Sequence, residues 1–303
     1  MSKIYYIKDD FVNTRLDRWF KKEVCKVPQS IIEKNIRKKK IKVNNKKEKS
    51  SYRLQKNDQI FIGDFKLSPN KNIKTKHQYI PTKKDLSFSS NIFIENNDNF
   101  AVINKPRGIS VQSGTKSKKN VLDILRKTKE FSDHTPFTVH RIDKDTTGIL
   151  IVAKNRKYAQ LFTSLFRIRK IHKTYLCIAL GHLDKNKGTF IDQLYHFEGT
   201  KKIFTKAITH YEVLNTNYNY SYLKLSPETG RKHQLRKQLL MHGNPILGDS
   251  KYKNINAITK KNADLMLHAY SINFSINNEK FKFVAELPEL FKKYLKEKNL
   301  KSF

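Results

Sequence analysis

A histidine, an arginine and two aspartates crowd into the run His140-Arg141-Ile142-Asp143-Lys144-Asp145-Thr146-Thr147-Gly148, directly ahead of the apolar stretch Ile149-Leu150-Ile151-Val152-Ala153. The pattern places a carboxylate between cations on a tight loop that feeds a buried strand, where a rigid scaffold displays a catalytic group. A second cluster, Thr229-Gly230-Arg231-Lys232-His233-Gln234-Leu235-Arg236, is a glycine turn opening a helix that ends near His242-Gly243. Such a helix start offers backbone donors and cations to a phosphate or carboxylate. Lysine greatly outnumbers arginine in this chain, so Arg141, Arg231 and Arg236 stand out: the planar guanidinium fork does what an ammonium cannot. An arginine that reaches a buried aspartate holds it ionised and oriented, and an Asp143–Arg236 pair would make a poised carboxylate rather than a proton donor. Spacing alone leaves two other readings open. Asp143 and Asp145 could shape an Asx turn before Gly148, or hold Mg²⁺ as in a nuclease, although Arg141 and Lys144 would compete with a cation there.

Three stretches must position these groups. Residues 12–64 read as a compact unit of two short helices and a small sheet. Thr14 and Asp17 resemble a capping box ahead of an apolar stripe, Leu16, Trp19, Phe20 and Val24. A second helix starts near Pro28 and turns Ile31, Ile32 and Ile36 inward. The strand Lys40–Asn44, a turn at Asn45–Lys47 and the strand Gln59–Ile62 follow. Lys34, Arg37, Lys38, Lys39, Lys40, Lys42 and Lys46 concentrate positive charge on the second helix and this hairpin, in outline a phosphate-facing surface for RNA or DNA. Residues 65–88, with Pro69, Pro81 and no apolar periodicity, read as a solvated linker. From 89 to 303 short apolar strands recur at 92–94, 100–103, 137–139, 149–153, 174–179, 209–213 and 221–225, with helices at 121–129, 158–166 and 234–242. Strands and helices do not alternate regularly, so the expectation is an α+β domain with a mostly antiparallel mixed sheet.

The 303 residues carry 62 lysines and arginines against 27 acidic residues, a net charge of +35, which argues for a polyanionic partner rather than for a fold. Abundant asparagine and isoleucine and scarce glycine suggest compositional drift, so part of the lysine excess needs no partner. Cys25 and Cys177 stand apart, without the spacing of a disulfide framework or a zinc site. No apolar run is long enough for a bilayer and no signal-peptide core opens the chain. The expectation is a cytoplasmic protein, a monomer, with no metal, no cofactor and no membrane partner.

The residues from His140 to Lys154 resemble the signature loop of the RluA-type pseudouridine synthases, H-R-L-D-x-x-T-S-G followed by an apolar strand. Asn104-Lys105-Pro106 with Gly108, Lys173-Thr174-Tyr175 with Gly181, Thr229 to Tyr252 including Gly243-Asn244-Pro245-Ile246-Leu247-Gly248-Asp249, and Leu267-His268-Ala269 agree in the same order. The resemblance covers the chain from about Ile92 to its end. The first unit is similar to an S4 RNA-binding domain, and Val27-Pro28-Gln29-Ser30 through Val43-Asn44 looks most like the RluC-like branch that modifies large-subunit (23S) ribosomal RNA.

The resemblance implies isomerisation of uridine to pseudouridine without cofactor or metal, on ribosomal RNA that is free or in an assembling large subunit. It implies that the target base is flipped out of its stack. By similarity Asp143 acts on the sugar, attacking C1′ or abstracting a ribose proton. Arg141 takes the vacated place in the RNA, Tyr175 packs against the flipped base and assists proton removal at C5, and Arg236 pairs with Asp143. Arg231 joins the cations of the first unit as an RNA contact, and Asp145 is structural. Departures from the family pattern are mild: Ile142 for leucine, Thr147 for serine, Cys177 for alanine, and Gln238 where histidine is usual. The same reaction on transfer RNA, or a non-catalytic RNA-binding or ribosome-assembly factor, are the rival readings.

Overall fold

The computed structural model describes residues 2–25, 27–63, 79–82, 85, 91–113, 119–198, 201–253 and 264–301. The chain divides into two compact units, Met1–Lys76 and His77–Phe303. The expected linker, 65–88, lies outside the described residues apart from 79–82 and Asp85.

In the first unit, β1 (Lys3–Tyr6), α1 (Leu16–Glu23), α2 (Gln29–Arg37), β2 (Ile41–Val43) and β3 (Gln59–Ile62) follow in order. β3 is central, antiparallel to both β1 and β2. β1 precedes residue 12, where the sequence suggests that the unit begins, and its four residues carry too little pattern to be read as a strand alone. Leu16, Trp19 and Phe20 of α1 and Ile32 and Ile36 of α2 bury against Ile41, Val43 and Ile60, as the helical spacing predicts. The expected capping box is absent. The residue ahead of α1 is Arg15, and no side chain caps the helix. Asp17 is instead buried, with Oδ2 accepting from Arg15 Nη2 at 2.6 Å and Gln29 Nε2 at 2.8 Å. A carboxylate engaged in a guanidinium pair is not available to reach back to its helix N-terminus.

The second unit runs β4 (Phe93–Asn96), β5 (Phe100–Lys105), α3 (Val121–Leu125), β6 (Phe137–Thr138), β7 (Thr147–Ala153), α4 (Arg156–Arg167), β8 (His172–Leu180), β9 (Lys187–Glu198), β10 (Lys201–Asn217), β11 (Tyr220–Pro227), α5 (Gln234–Met241), β12 (Leu267–Ile276), β13 (Glu279–Val284) and α6 (Glu289–Glu297). Ten strands form one sheet in the order β4-β5-β7-β12-β8-β11-β10-β9, with β13 beside β12 and β6 beside β7. Every pairing is antiparallel except β7 with β12. The α+β architecture with a mostly antiparallel sheet is therefore as the sequence suggests. The expected helix at 121–129 ends at Leu125, and a single 3-10 turn covers Lys129–Phe131. β9, β12, β13 and α6, and half of β10, are not legible as apolar runs because polar residues interrupt each: Asp192, Gln193 and His196 in β9, Asn273 and Ser275 on the exposed face of β12, and lysines in β10, β13 and α6.

β7 reads as a continuous apolar run because both of its faces are covered. Leu150 and Val152 pack with Ile103, Leu122 and Leu125 on one side. Ile149 and Ile151 pack with Phe100, Phe162 and Phe274 on the other. Among the described residues no helix is long and apolar enough to cross a membrane.

Gly148 is the point where the motif loop enters this sheet. It lies opposite Ala269 in the parallel pairing, its φ is +104°, and a Cβ there would sit 2.2 Å from the Ala269 carbonyl oxygen. Both the dihedral and the space exclude a side chain. Gly148→Ala is expected to lower unfolding stability by more than about 2 kcal/mol. Urea unfolding followed by circular dichroism measures this, and an unchanged midpoint would show that the β7–β12 contact tolerates a methyl group.

Candidate active site

The loop from His140 to Thr146 joins β6 to β7 and is fastened at both ends by neutral or near-neutral groups. The His140 ring stacks on Phe166 of α4, with centroids 4.6 Å apart, and its Nε2 accepts the Ile151 backbone N–H at 2.8 Å. Burial, with the Lys173 charge adding to it, pushes the His140 pKa down to about 3, so the ring keeps the lone pair it needs to accept. At the far end Thr147 Oγ1 lies 2.8 Å from Nδ1 of His268, whose Nε2 faces the Ala285 carbonyl at 3.2 Å. A carbonyl can only accept, so Nε2 carries the proton and Nδ1 accepts from the threonine hydroxyl. Burial lowers the His268 pKa to about 4 despite the hydrogen bond to Ala285.

A third fastening comes from Lys105 at the end of β5. Its ammonium is fully buried and donates to the carbonyls of Pro106 at 2.7 Å, Ile109 at 3.1 Å and Lys144 at 3.0 Å. Burial lowers its pKa to about 7, against the opposing pull of Asp145 and Asp143.

Held in this way, Asp143 meets the start of α5. Its Oδ2 accepts from Arg236 Nη1 at 3.1 Å, and its Oδ1 lies 3.6 Å from His233 Nε2. The second cluster supplies both partners because the Thr229–Arg231 turn is pinned. Gln234 Oε1 accepts from Thr229 Oγ1 and from the Arg231 N–H, while Gln234 Nε2 donates to the Ile208 carbonyl. His233 sits just before the helix in the left-handed region, with φ 55°, which turns its ring toward Asp143, and its Nδ1 lies 2.8 Å from the Tyr252 hydroxyl. Its pKa is lowered by burial, the Asp143 charge opposing.

Arg236 is gripped from behind by Asp249. Nε donates to Oδ2 at 2.7 Å and Nη2 to Oδ1 at 2.8 Å, a two-pronged pair with a fully buried carboxylate. Asp249 Oδ1 also accepts the N–H groups of Lys251 and Tyr252, and the Tyr252 ring lies 5.1 Å from the guanidinium carbon. Burial works against the Arg236 charge, but Asp249 and then Asp143 outweigh it and raise its pKa.

These groups share a cavity of about 600 Å³ lined by Arg141, Asp143, Tyr175, Arg231, His233 and Arg236, among others. Five of these were singled out from the sequence. Arg141 is exposed at the wall. Burial, with the nearby Asp143 charge, raises the Tyr175 pKa and keeps the phenol protonated. Arg231 donates from Nε to the Lys206 carbonyl at 3.1 Å. Asp145 is not among the lining residues. The cations Lys34, Arg37, Lys38, Lys39, Lys40, Lys42 and Lys46 belong to the first unit: Lys34, Arg37, Lys38, Lys39 and Lys46 are exposed, while Lys40 and Lys42 are half-buried. Sequence reasoning missed His233, Asp249 and Tyr252 as parts of the site. All three lie within stretches that carry the resemblance, but no periodicity pairs them. Gln238 is fully buried, accepting from Thr209 Oγ1 and donating to Asp192 Oδ2 at 2.7 Å each, so a neutral amide satisfies both neighbours where a charged ring would not be needed.

The arrangement is a carboxylate oriented by one arginine, facing a cavity wide enough for a flipped base, with cations at the rim. Residues 99–241 match the family model described as RNA pseudouridylate synthase. The chain is 32% identical over 96% of its length to the Ribosomal large subunit pseudouridine synthase C of Buchnera aphidicola subsp. Schizaphis graminum, covering 96% of that protein. It is 34% identical over 94% of its length to the protein of the same name from Rickettsia conorii, covering 97% of it. The chain belongs to the RNA pseudouridylate synthase family. A solved structure, human RNA Pseudouridylate Synthase Domain Containing 4, aligns over 72% of this chain and 98% of its own with a TM-score of 0.62 and 25% identity.

In this pseudouridine synthase the two-pronged grip on Arg236 sets where its remaining amine meets Asp143. Arg236→Lys keeps the charge, yet one ammonium cannot reach Asp143 and both Asp249 oxygens together. The single-turnover rate of pseudouridine formation is expected to fall about a hundredfold. A rate within twofold of wild type would show that charge alone, without the fork, suffices.

Proposed function

We propose that this pseudouridine synthase isomerises uridines of large-subunit ribosomal RNA, acting as a cytoplasmic monomer on the 23S-type RNA or on an assembling subunit. The reading is carried by one observation: Asp143 stands on the cavity wall with an arginine on one oxygen and a histidine near the other. The names of the Buchnera and Rickettsia relatives support the choice of RNA, and the charge of +35 suits a polyanion.

In the reaction the bond from uracil N1 to ribose C1′ breaks, the base turns, and C5 bonds to C1′. The C5 proton leaves and N1 gains one, so nothing is oxidised or reduced and no net water is used. Asp143 acts on the sugar, either attacking C1′ or taking a ribose proton, and Arg236 keeps the acting oxygen in place through both. Tyr175 walls the flipped uracil as a protonated phenol. Arg141, exposed at the rim, occupies the place the base leaves in the RNA. The S4-like first unit, through Lys34, Arg37, Lys38, Lys39, Lys40, Lys42 and Lys46, holds phosphates and leaves the chemistry to the second unit, where Arg231 adds a contact beside the cavity.

Asp143→Asn should abolish tritium release from C5-labelled large-subunit RNA while leaving RNA affinity within about threefold of wild type. Release at the wild-type rate would overturn the assignment of Asp143, and activity confined to transfer RNA would overturn the substrate. Alanine at Lys34, Arg37, Lys38 and Lys46 together should weaken binding across RNA sequences and shrink the slope of log affinity against log salt by about 0.7 to 0.9 per lost phosphate contact. An unchanged slope would remove the first unit from the RNA contact.

A further inference from the structure

The whole of β9 pairs with β10, from Lys201 to Glu212, whereas β11 joins β10 only from Thr209 onward. Lys201–Ile208 therefore has β9 as its only strand partner among the described residues, and this end of the sheet is a two-stranded ribbon. Its faces differ sharply. Toward α5 it presents Asp192, Leu194 and Ala207, and Gln238 anchors that side through Asp192. On the opposite face the cross-strand pairs are Phe197 with Lys202, Tyr195 with Phe204, and Gln193 with Lys206.

Three rings on that face stand in solvent: Tyr195 is 47% exposed, Phe204 56% and Phe197 64%. They form one cluster, Tyr195 lying 5.9 Å from Phe197 edge-on and 6.1 Å from Phe204. Cations are woven among them, with Lys202 Nζ 4.2 Å from the Tyr195 ring centre and 5.0 Å from that of Phe204, and Lys237 Nζ 5.4 Å from Tyr195. A contiguous apolar patch left in water marks an interaction site. The centres of protein–protein contacts are depleted of lysine. Rings on which bases can stack, alternating with lysines that meet phosphates, suit unpaired nucleic acid.

The ribbon is also joined to the cavity. Arg231 donates to the Lys206 carbonyl, and the Ile208 N–H donates to Thr229 Oγ1, both Arg231 and Thr229 being cavity-lining. Phe204 is two residues from Lys206 along the strand, about 7 Å, a step that neighbouring nucleotides can span.

We propose that Tyr195, Phe197 and Phe204, with Lys202, Lys206 and Lys237, form a stacking platform for unpaired nucleotides flanking the target uridine. The inference rests on the reading of the chain as an enzyme of ribosomal RNA. On binding, Lys202 swings from the ring faces to phosphates, and bases take its place.

Tyr195→Trp puts a reporter on the platform of a chain whose single natural tryptophan, Trp19, is buried in the first unit. A short oligouridylate should quench its fluorescence, and a duplex of equal length should not. Equal effects of the two, or none, would overturn the platform. The variant with Tyr195→Ala, Phe197→Ala and Phe204→Ala, its thermal midpoint unchanged, should raise KM about tenfold or more for a large-subunit RNA fragment with unpaired flanks while kcat stays within twofold. An unchanged KM would overturn the proposal. So would loss of self-association or of a protein contact with RNA affinity intact, which would make the patch a protein-docking face. If wild-type enzyme releases no tritium from that fragment, the proposed reaction fails, and the fluorescence result decides the platform separately.

Discussion

The guanidinium of Arg236 joins two carboxylates with opposite tasks. Asp249, fully buried, takes two of its N–H groups, and Asp143, on the cavity wall, takes a third. A buried arginine with no partner would be strongly unfavourable, and a buried aspartate equally so; together they neutralise one another and lock the fork at a fixed angle. What remains of the fork points at Asp143. The segment after Gly248 closes the arrangement, because the Lys251 and Tyr252 amides hold Asp249 while the Tyr252 ring and hydroxyl reach Arg236 and His233. The motif loop and the distant Thr229–Tyr252 stretch thus converge on one charged group.

The carboxylate is held as carefully from its own side. His140 and His268 both work as neutral rings, each offering a lone pair to a neighbour, and burial is what keeps the proton off. Lys105 does the complementary work, gathering three carbonyls from the two loops, of which that of Lys144 also accepts the Gly108 N–H. Gly148 lets β7 approach β12 closely enough for Thr147 to meet His268. The motif residues around Asp143 are therefore mostly scaffolding, and only Arg141 and Asp143 among its charged members line the cavity.

Charge is divided by task between the two units. In the first, lysines and arginine lie on α2 and the turn after β2, on a small core of their own. In the second, cations cluster at the cavity rim and along the β9–β10 ribbon, where they alternate with aromatic rings. A drifted, lysine-rich composition blurs this division in the sequence, since lysine is everywhere; burial and ring contacts separate cations with a place from those merely in solvent.

Strong local patterns made much of the fold legible: the apolar stripes of α1 and α2, the wholly apolar β7 and the glycine turn ahead of α5 all follow from periodicity and turn chemistry in consecutive residues. The loop holding Asp143 and Asp145 stood out for the same reason, its strand being adjacent, and the family resemblance separated the two aspartates. The capping box at Thr14 failed because Asp17 found a stronger partner in Arg15 and Gln29, and β9, β12 and β13 escaped notice because polar residues interrupt the apolar pattern of each. The sequence by itself determined the loop that carries Asp143 and Asp145 and the strand that displays it, and the resemblance to the family's signature loop pointed to Asp143. The resemblance also named Arg236, 93 residues away, as its partner; only the tertiary structure decided the geometry of that contact, and that Asp249 rather than any nearer acid holds that arginine. Local propensity acts over a few residues, whereas such a pairing depends on the order of strands in the sheet.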